Sequence, residues 1–181
     1  MGDATPPVLV NVPVDITLGC GEVPEPADPI ATDNCGNQVD IVFTEQRTDG
    51  NCSENYRLRR EWKATDECGN ATTYAQTITV GDYEGPIFSG VPGDITVDCD
   101  AIPPAATATA TDNCSGATLS FDQFRELGDC DFSFVLRRVW TAVDGCGNLS
   151  ELTQKVFIRD IKAPVLSDYP GDVTVDLSAG Q

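Results

Sequence analysis

Two passages of the chain alternate apolar and polar positions in the same order. In the first, Tyr56, Leu58, Trp62 and Ala64 fall on one face of an extended run, and Tyr74, Ile78 and Val80 share a face further on. In the second, Phe134, Leu136, Trp140 and Ala142 are followed by Leu152, Val156 and Ile158. A period of two predicts half-buried β-strands. Gly69-Asn70 and Gly147-Asn148 separate the runs, and both residue types enter positive φ at low cost. Each passage therefore predicts a β-hairpin. Trp140 follows Trp62 by 78 positions, so the hairpin is one part of an internal repeat.

The rest of each repeat lines up around that hairpin. Pro13-Val14-Asp15-Ile16-Thr17-Leu18 matches Pro92-Gly93-Asp94-Ile95-Thr96-Val97, a short alternating strand after a proline. Ala31-Thr32-Asp33-Asn34-Cys35 matches Ala110-Thr111-Asp112-Asn113-Cys114, a strand running into a loop. Val39, Ile41 and Phe43 alternate as a further strand, as do Leu119 and Phe121, and a polar loop holding Cys52 or Cys130 leads into the hairpin. Short strands, regular turn signals and an inward Trp predict an all-β chain of two immunoglobulin-like antiparallel sandwiches. Asp3, Asp82 and Asp160 each precede a proline by four residues, which marks stiff linkers. The expected division is residues 1–82, 83–162 and 163–181, the last being the first strand of a third repeat with Leu177 in place of Cys. Met1-Gly2 is expected to be an added start on a piece of a longer chain, because no signal peptide is present.

Cysteine changes the picture most. Eight Cys, four per repeat, sit in units of about 80 residues, close to the smallest size that a core alone can hold. Zinc is the rival to disulfides, but the chain has no His and no Cys-x-x-Cys knuckle. Disulfides imply an oxidising compartment outside the cytosol. Strand direction puts Cys20 and Cys52 at one end of the first sandwich, and Cys35 and Cys68 at the other. The pairs expected from this are Cys20–Cys52, Cys35–Cys68, Cys99–Cys130 and Cys114–Cys146. Each closes a loop of about 33 residues, about 3–4 kcal/mol of chain entropy. Four Cys allow three pairings, and sequential pairing is the alternative.

A net charge of −18 excludes nucleic acid and anionic membranes as partners, and no apolar run is long enough to span a bilayer. It allows divalent cations, although an acidic surface also serves solubility. Asp33 and Asp66 precede Cys35 and Cys68 by two, and the linker acid Asp3 comes alongside them. Asp82, Asp112 and Asp144 are the second set. Three carboxylates meeting at a joint suit Ca²⁺, which takes six to eight oxygens, with Asn34 or Asn113 as additional ligands. The alternative is that each Asp caps a turn through its own backbone.

Arg60 and Arg138 share the Trp face, where a packed Arg paired with a carboxylate such as Glu45, and bonded to Gln76 or Gln154, is expected. Asn70-Ala71-Thr72 and Asn148-Leu149-Ser150 match glycosylation acceptors. No His, spare Cys, nucleophile elbow or phosphate loop supports catalysis, so no enzyme is expected.

Ala-Thr-Asp-Asn-Cys, Trp-x-Ala-x-Asp-x-Cys-Gly-Asn and the closing Asp-x-x-x-Pro together resemble a tandem module. It is similar to the Cys-containing repeats of giant cell-surface adhesins of Bacteroidetes, including SprB-type gliding-motility adhesins, and more remotely to hyalin-repeat (HYR) modules. The resemblance implies an immunoglobulin-like fold and export to the cell surface by the type IX route. It also implies a stalk of spacer repeats, whose partners are neighbouring repeats of the same chain. Surface polysaccharide or another cell-surface protein would be further partners. A carbohydrate site wants an exposed aromatic, for which Tyr83 and Tyr169 near the joints are the candidates. Val143 and Gly145 replace Thr65 and Glu67, so a ligand shell using either would differ between repeats.

Overall fold

The computed structural model describes residues 3–36, 38–130, 133–160, 162–167 and 171. Its twelve strands run β1 (Val8–Val10), β2 (Ile16–Leu18), β3 (Ile30–Thr32), β4 (Asp40–Asp49), β5 (Tyr56–Thr65), β6 (Ala71–Val80), β7 (Ile87–Ser89), β8 (Ile95–Val97), β9 (Thr109–Thr111), β10 (Thr118–Cys130), β11 (Ser133–Val143) and β12 (Leu149–Ile158). No helix occurs among the described residues. Two sheets of four strands, in the orders β2-β6-β5-β4 and β10-β11-β12-β8, are each faced by a two-stranded sheet, β1-β3 or β7-β9. The fold is all-β: two immunoglobulin-like sandwiches in tandem.

The alternation in the hairpins is what buries the cores. Leu58, Trp62 and Ala64 of β5 point inward with Ile78 and Val80 of β6, and Leu136, Trp140 and Ala142 of β11 point inward with Val156 and Ile158 of β12. Each Trp is 2% exposed. Phe43 of β4 lies opposite Trp62 and Phe121 of β10 opposite Trp140, with ring centroids 5.3 and 5.1 Å apart and the rings tilted. The Trp62 indole N–H donates to the Ala27 carbonyl, which ties the Pro-rich crossing to the core. Gly69 and Gly147 turn the hairpins at φ 89° and 90°.

Three features differ from the alternation-based reading. The sandwiches are not wholly antiparallel. β2 pairs parallel to β6, and β8 parallel to β12, because each short strand lies beside the last strand of its repeat and runs the same way. β1 and β7, three residues each, pair with β3 and β9 and add strands that the alternation does not predict, because runs this short carry little period. β10 continues to Cys130, through the segment read as a polar loop. The strand expected at the start of a third repeat lies outside the described residues, as does Tyr169.

Arg60 and Arg138 are buried at 4% and 3% exposure. Arg60 Nε donates to Glu45 at 2.7 Å. Arg138 Nε donates to Gln123 Oε1, and its guanidinium also reaches the Pro103 and Pro104 carbonyls and Gln154 Oε1. The second Arg thus stitches the hairpin to the Pro-rich crossing without a carboxylate. Gln76 and Gln154 donate to the Val14 and Gly93 carbonyls, fastening β6 to the approach to β2 and β12 to the approach to β8.

Candidate functional site

The site is the joint between the sandwiches. Loops at the C-terminal end of the first repeat, after β2 and between β4 and β5, carry Cys20 and Cys52. Loops at the N-terminal end of the second, after β9 and between β11 and β12, carry Cys114 and Cys146. The chain crosses between them at residues 81–86.

The disulfides cross this joint. Cys20 is bonded to Cys114 and Cys52 to Cys146, each over 94 residues, with Cα atoms 5.5 and 5.1 Å apart. This corrects the expected pairing inside each repeat. Cys20–Cys52 and Cys114–Cys146 do not form, because each cysteine meets a partner from the facing repeat. Cys35, Cys68 and Cys99 are free thiols, so Cys35–Cys68 and Cys99–Cys130 do not form either. The side chain of Cys130 lies outside the described residues. The two bonds join loops of the first repeat to loops of the second, so the end of one repeat abuts the opposite end of the next.

Asp82 is held from both sides of the joint. Its N–H donates to Asn55 Oδ1 of the first repeat at 2.7 Å, and its carbonyl accepts from Asn148 Nδ2 of the second at 3.3 Å. The preceding Gly81 N–H donates to the Leu18 carbonyl at 3.1 Å. Asn113 Nδ2 donates to Cys20 Sγ across the joint at 3.4 Å. The second repeat's two loops are joined by Gly145 N–H donating to Ser115 Oγ.

The carboxylates divide into two kinds. Asp66 and Asp144 are turn caps: both oxygens of each accept hydrogen bonds, from Asn70 and from Asn148 and Cys146. Burial raises the Asp144 pKa, but the Asn148 side chain and N–H and the N–H groups of Cys146 and Gly147 outweigh it and hold the group below the ordinary carboxylate value. Asn70 and Asn148, the asparagines of the glycosylation matches, spend their amide N–H groups inside these caps and on the Asp3 and Asp82 carbonyls.

Asp82 and Asp112 are different. Asp112 Oδ1 accepts from the N–H groups of Cys114 and Ser115, and Asp82 Oδ1 from Glu84. The second oxygen of each is buried with no hydrogen-bond partner. Asp82 is 3% exposed, and one ligand atom from each of Asp82, Asp112 and Cys114 lies within 4.8 Å of the others. Burial, then the charges of Asp112 and Asp144, push the Asp82 pKa up. Two neighbouring carboxylates that each bury an oxygen without a donor fit a hard cation. Cys114 Sγ is already in a disulfide and has no thiolate to offer. At the N-terminal end of the first repeat, Asp3, Asp33 and Cys35 form the matching group. There the thiol is free, and its hydrogen bond to Asp3, burial and the charges of Asp3, Asp33 and Cys68 raise its pKa.

Tyr83 follows Asp82 in the linker, is 68% exposed, and lays its ring against Gly81. No helix of the described residues is long and apolar enough to cross a membrane.

Residues 8–80 match the family described as an HYR-like domain with 4 cysteines. No curated protein matches the chain. Among solved structures, Drosophila N-cadherin EC1-4 is similar at 11% identity over 86% of this chain and 50% of that one, with a TM-score of 0.35. The protocadherin GammaB4 extracellular domain is similar at 15% identity over 86% of this chain and 34% of that one, TM-score 0.36. The N-terminal Ig1-2 module of the Drosophila receptor protein tyrosine phosphatase DLAR is similar at 13% identity over 86% of this chain and all of that one, TM-score 0.31. The chain spans half or less of the length of the two cadherin structures.

Proposed function

We propose that the chain is a stiff spacer from a large exported adhesin, with its working part at the joint. The observation that carries this is the pair of disulfides crossing from one sandwich to the next. A single bond leaves a hinge about its own axis. Two bonds from separate loops, together with the linker peptide, give three attachments and remove the hinge. Within one sandwich such bonds would protect a fold; between two they fix an angle. The match of residues 8–80 to a four-cysteine HYR-like domain supports a repeat module of this type. Display on a cell surface, type IX export and a part in gliding motility extend the same reading.

In this reading Asp82 and Asp112 would hold a Ca²⁺ at the joint. The ion supplies the positive charge that two buried carboxylates otherwise lack, and it would lock the linker to the loop after β9. Asp144, fully bonded within its own turn, orients Asn148 on the Asp82 carbonyl rather than offering a free oxygen.

The test is small-angle scattering of the oxidised and reduced protein, with circular dichroism on the same samples. The expected result is a narrow set of interdomain distances that broadens on reduction while the β-sheet spectrum persists. Equal profiles in both states would remove the spacer reading. A second reading, binding of surface polysaccharide, rests on the exposed ring of Tyr83. Reproducible binding on a glycan array that is lost in Tyr83→Ala would favour it.

A further inference from the structure

The same joint is half built at both outer ends of the pair of sandwiches. At the N-terminal end, Asn70 Nδ2 donates to the Asp3 carbonyl at 3.2 Å, as Asn148 does to Asp82 at 3.3 Å. Cys35 and Cys68 stand where Cys114 and Cys146 stand in the second repeat, and the charge of Cys68 acts on the Cys35 thiol. At the C-terminal end, Arg159 N–H donates to the Val97 carbonyl at 3.0 Å, as Gly81 does to Leu18 at 3.1 Å. Asp160 lies beside Asp98 and Cys99, with ligand atoms within 4.8 Å of one another, so the next linker acid is already in place. By position in the repeat, Cys99 is the counterpart of Cys20, and Cys130 of Cys52. One end thus presents the accepting half of the joint, and the other the donating half.

We infer that these cysteines are the covalent couplers of a continuous array: Cys99 and Cys130 bond to the Cys35-type and Cys68-type residues of a further repeat of this kind, head to tail. This rests on the spacer reading and gives it a rule: a joint whose two facing repeats both carry these cysteines would show the pairing seen between Cys20 and Cys114 and between Cys52 and Cys146. The chemistry is thiol–disulfide exchange with a small organic disulfide as oxidant. A protein thiolate attacks the small disulfide, forms a mixed disulfide and releases one small thiolate. The facing protein thiolate then attacks the protein sulfur, closes the bridge and releases the second. Two protein thiols lose two protons and two electrons, and the small disulfide takes up the electrons. Asp3 and Asp33 offer ligand atoms within 4.8 Å of that of Cys35, as do Asp98 and Asp160 for Cys99, and this negative surround disfavours anionic oxidants and favours a cationic one.

The test joins two copies of the chain so that Asp160 of the first takes the place of Asp3 of the second. The outward cysteines are removed by Cys35→Ser and Cys68→Ser in the first copy and Cys99→Ser and Cys130→Ser in the second. The product is refolded with cystamine and cysteamine, and the monomeric fraction is mapped without reduction. The expected result is no free thiol, with peptides linking Cys99 to Cys35 and Cys130 to Cys68. Four alkylatable thiols, or bonds from Cys99 to Cys130 and from Cys35 to Cys68, would overturn the inference while Cys20–Cys114 and Cys52–Cys146 still form. Absence of those last two bonds would instead count against the spacer reading itself.

Discussion

Cys52, in the turn between β4 and β5, is bonded to Cys146, in the turn between β11 and β12, across the boundary between two similar sandwiches. The two turns belong to different parts of the repeat. Cys52 sits before the hairpin and Cys146 at its tip, so the bond joins opposite ends of successive units. A stack in which every unit points the same way puts these two ends face to face. The covalent pattern is therefore a consequence of polarity: identical modules in head-to-tail order present unlike ends to each other at each joint.

Removing one bridge tests how the joint divides its stability. A disulfide closing a loop of about 100 residues is worth about 4–5 kcal/mol of chain entropy, and with a second bridge and the linker already present the gain is smaller. Cys20→Ser with Cys114→Ser is expected to lower stability by about 1–3 kcal/mol in urea unfolding, with the β-sheet spectrum unchanged. Removing both bridges is expected to cost more than twice as much, because the remaining bridge and the linker limit the chain freedom released by the first loss, and only the linker limits that released by the second.

The buried oxygens of Asp82 and Asp112 predict a response to Ca²⁺. A ligand at 100 times its Kd stabilises the folded state by about 2.7 kcal/mol. Melting in EDTA against millimolar Ca²⁺ is expected to show a rise in Tm of several degrees. Asp82→Asn and Asp112→Asn are each expected to abolish the rise. A rise that persists in both variants would place the ion elsewhere.

Without metal, the same pair predicts an unusual pH dependence. Asp82 has its folded pKa raised, by burial first and then by Asp112 and Asp144. Its contribution is therefore present below the unfolded value of about 3.9 and is lost as pH rises through the folded pKa. Asp3 and Asp144 have lowered values, so their contributions are present above about 3.9 and are lost as pH falls through their folded pKa values. The windows lie on opposite sides of that value. In EDTA, the Tm of Asp82→Asn relative to the parent protein is expected to rise between pH 4 and pH 7, and Ca²⁺ is expected to reverse the sign.

Arg138 ties four groups together in the second core, and Arg60 pairs with a single carboxylate. Arg138→Ala strands two Pro-rich carbonyls and the side chains of Gln123 and Gln154, and is expected to cost about 3–4 kcal/mol. Arg60→Ala leaves Glu45, which is partly exposed and rehydrates, so a smaller loss is expected from the same urea titration.

The hairpins were legible because their period is long and each carries a Trp, a buried Arg and a Gly-Asn turn. β1 and β7 were not, since three residues such as Val8-Leu9-Val10 cannot show a period. The parallel placement of β2 against β6 depends on which strand it meets, which no local pattern encodes. Strand order brings the carboxylates Asp82, Asp112 and Asp144 to one end, but what separates the capped Asp144 from Asp82 and Asp112 is hydrogen bonding that no sequence spacing encodes. Strand direction within one repeat does not reveal the partner of Cys20, which lies in the next repeat. The missed signal was the repeat itself: a cysteine pair at each end of a module that stacks in one direction gives every joint two facing pairs.

The most direct measurement is a peptide map of the native protein, digested without reduction at acidic pH to prevent exchange. Cross-linked peptides joining Cys20 to Cys114 and Cys52 to Cys146 are the predicted result. Peptides joining Cys20 to Cys52, or Cys114 to Cys146, would contradict the account.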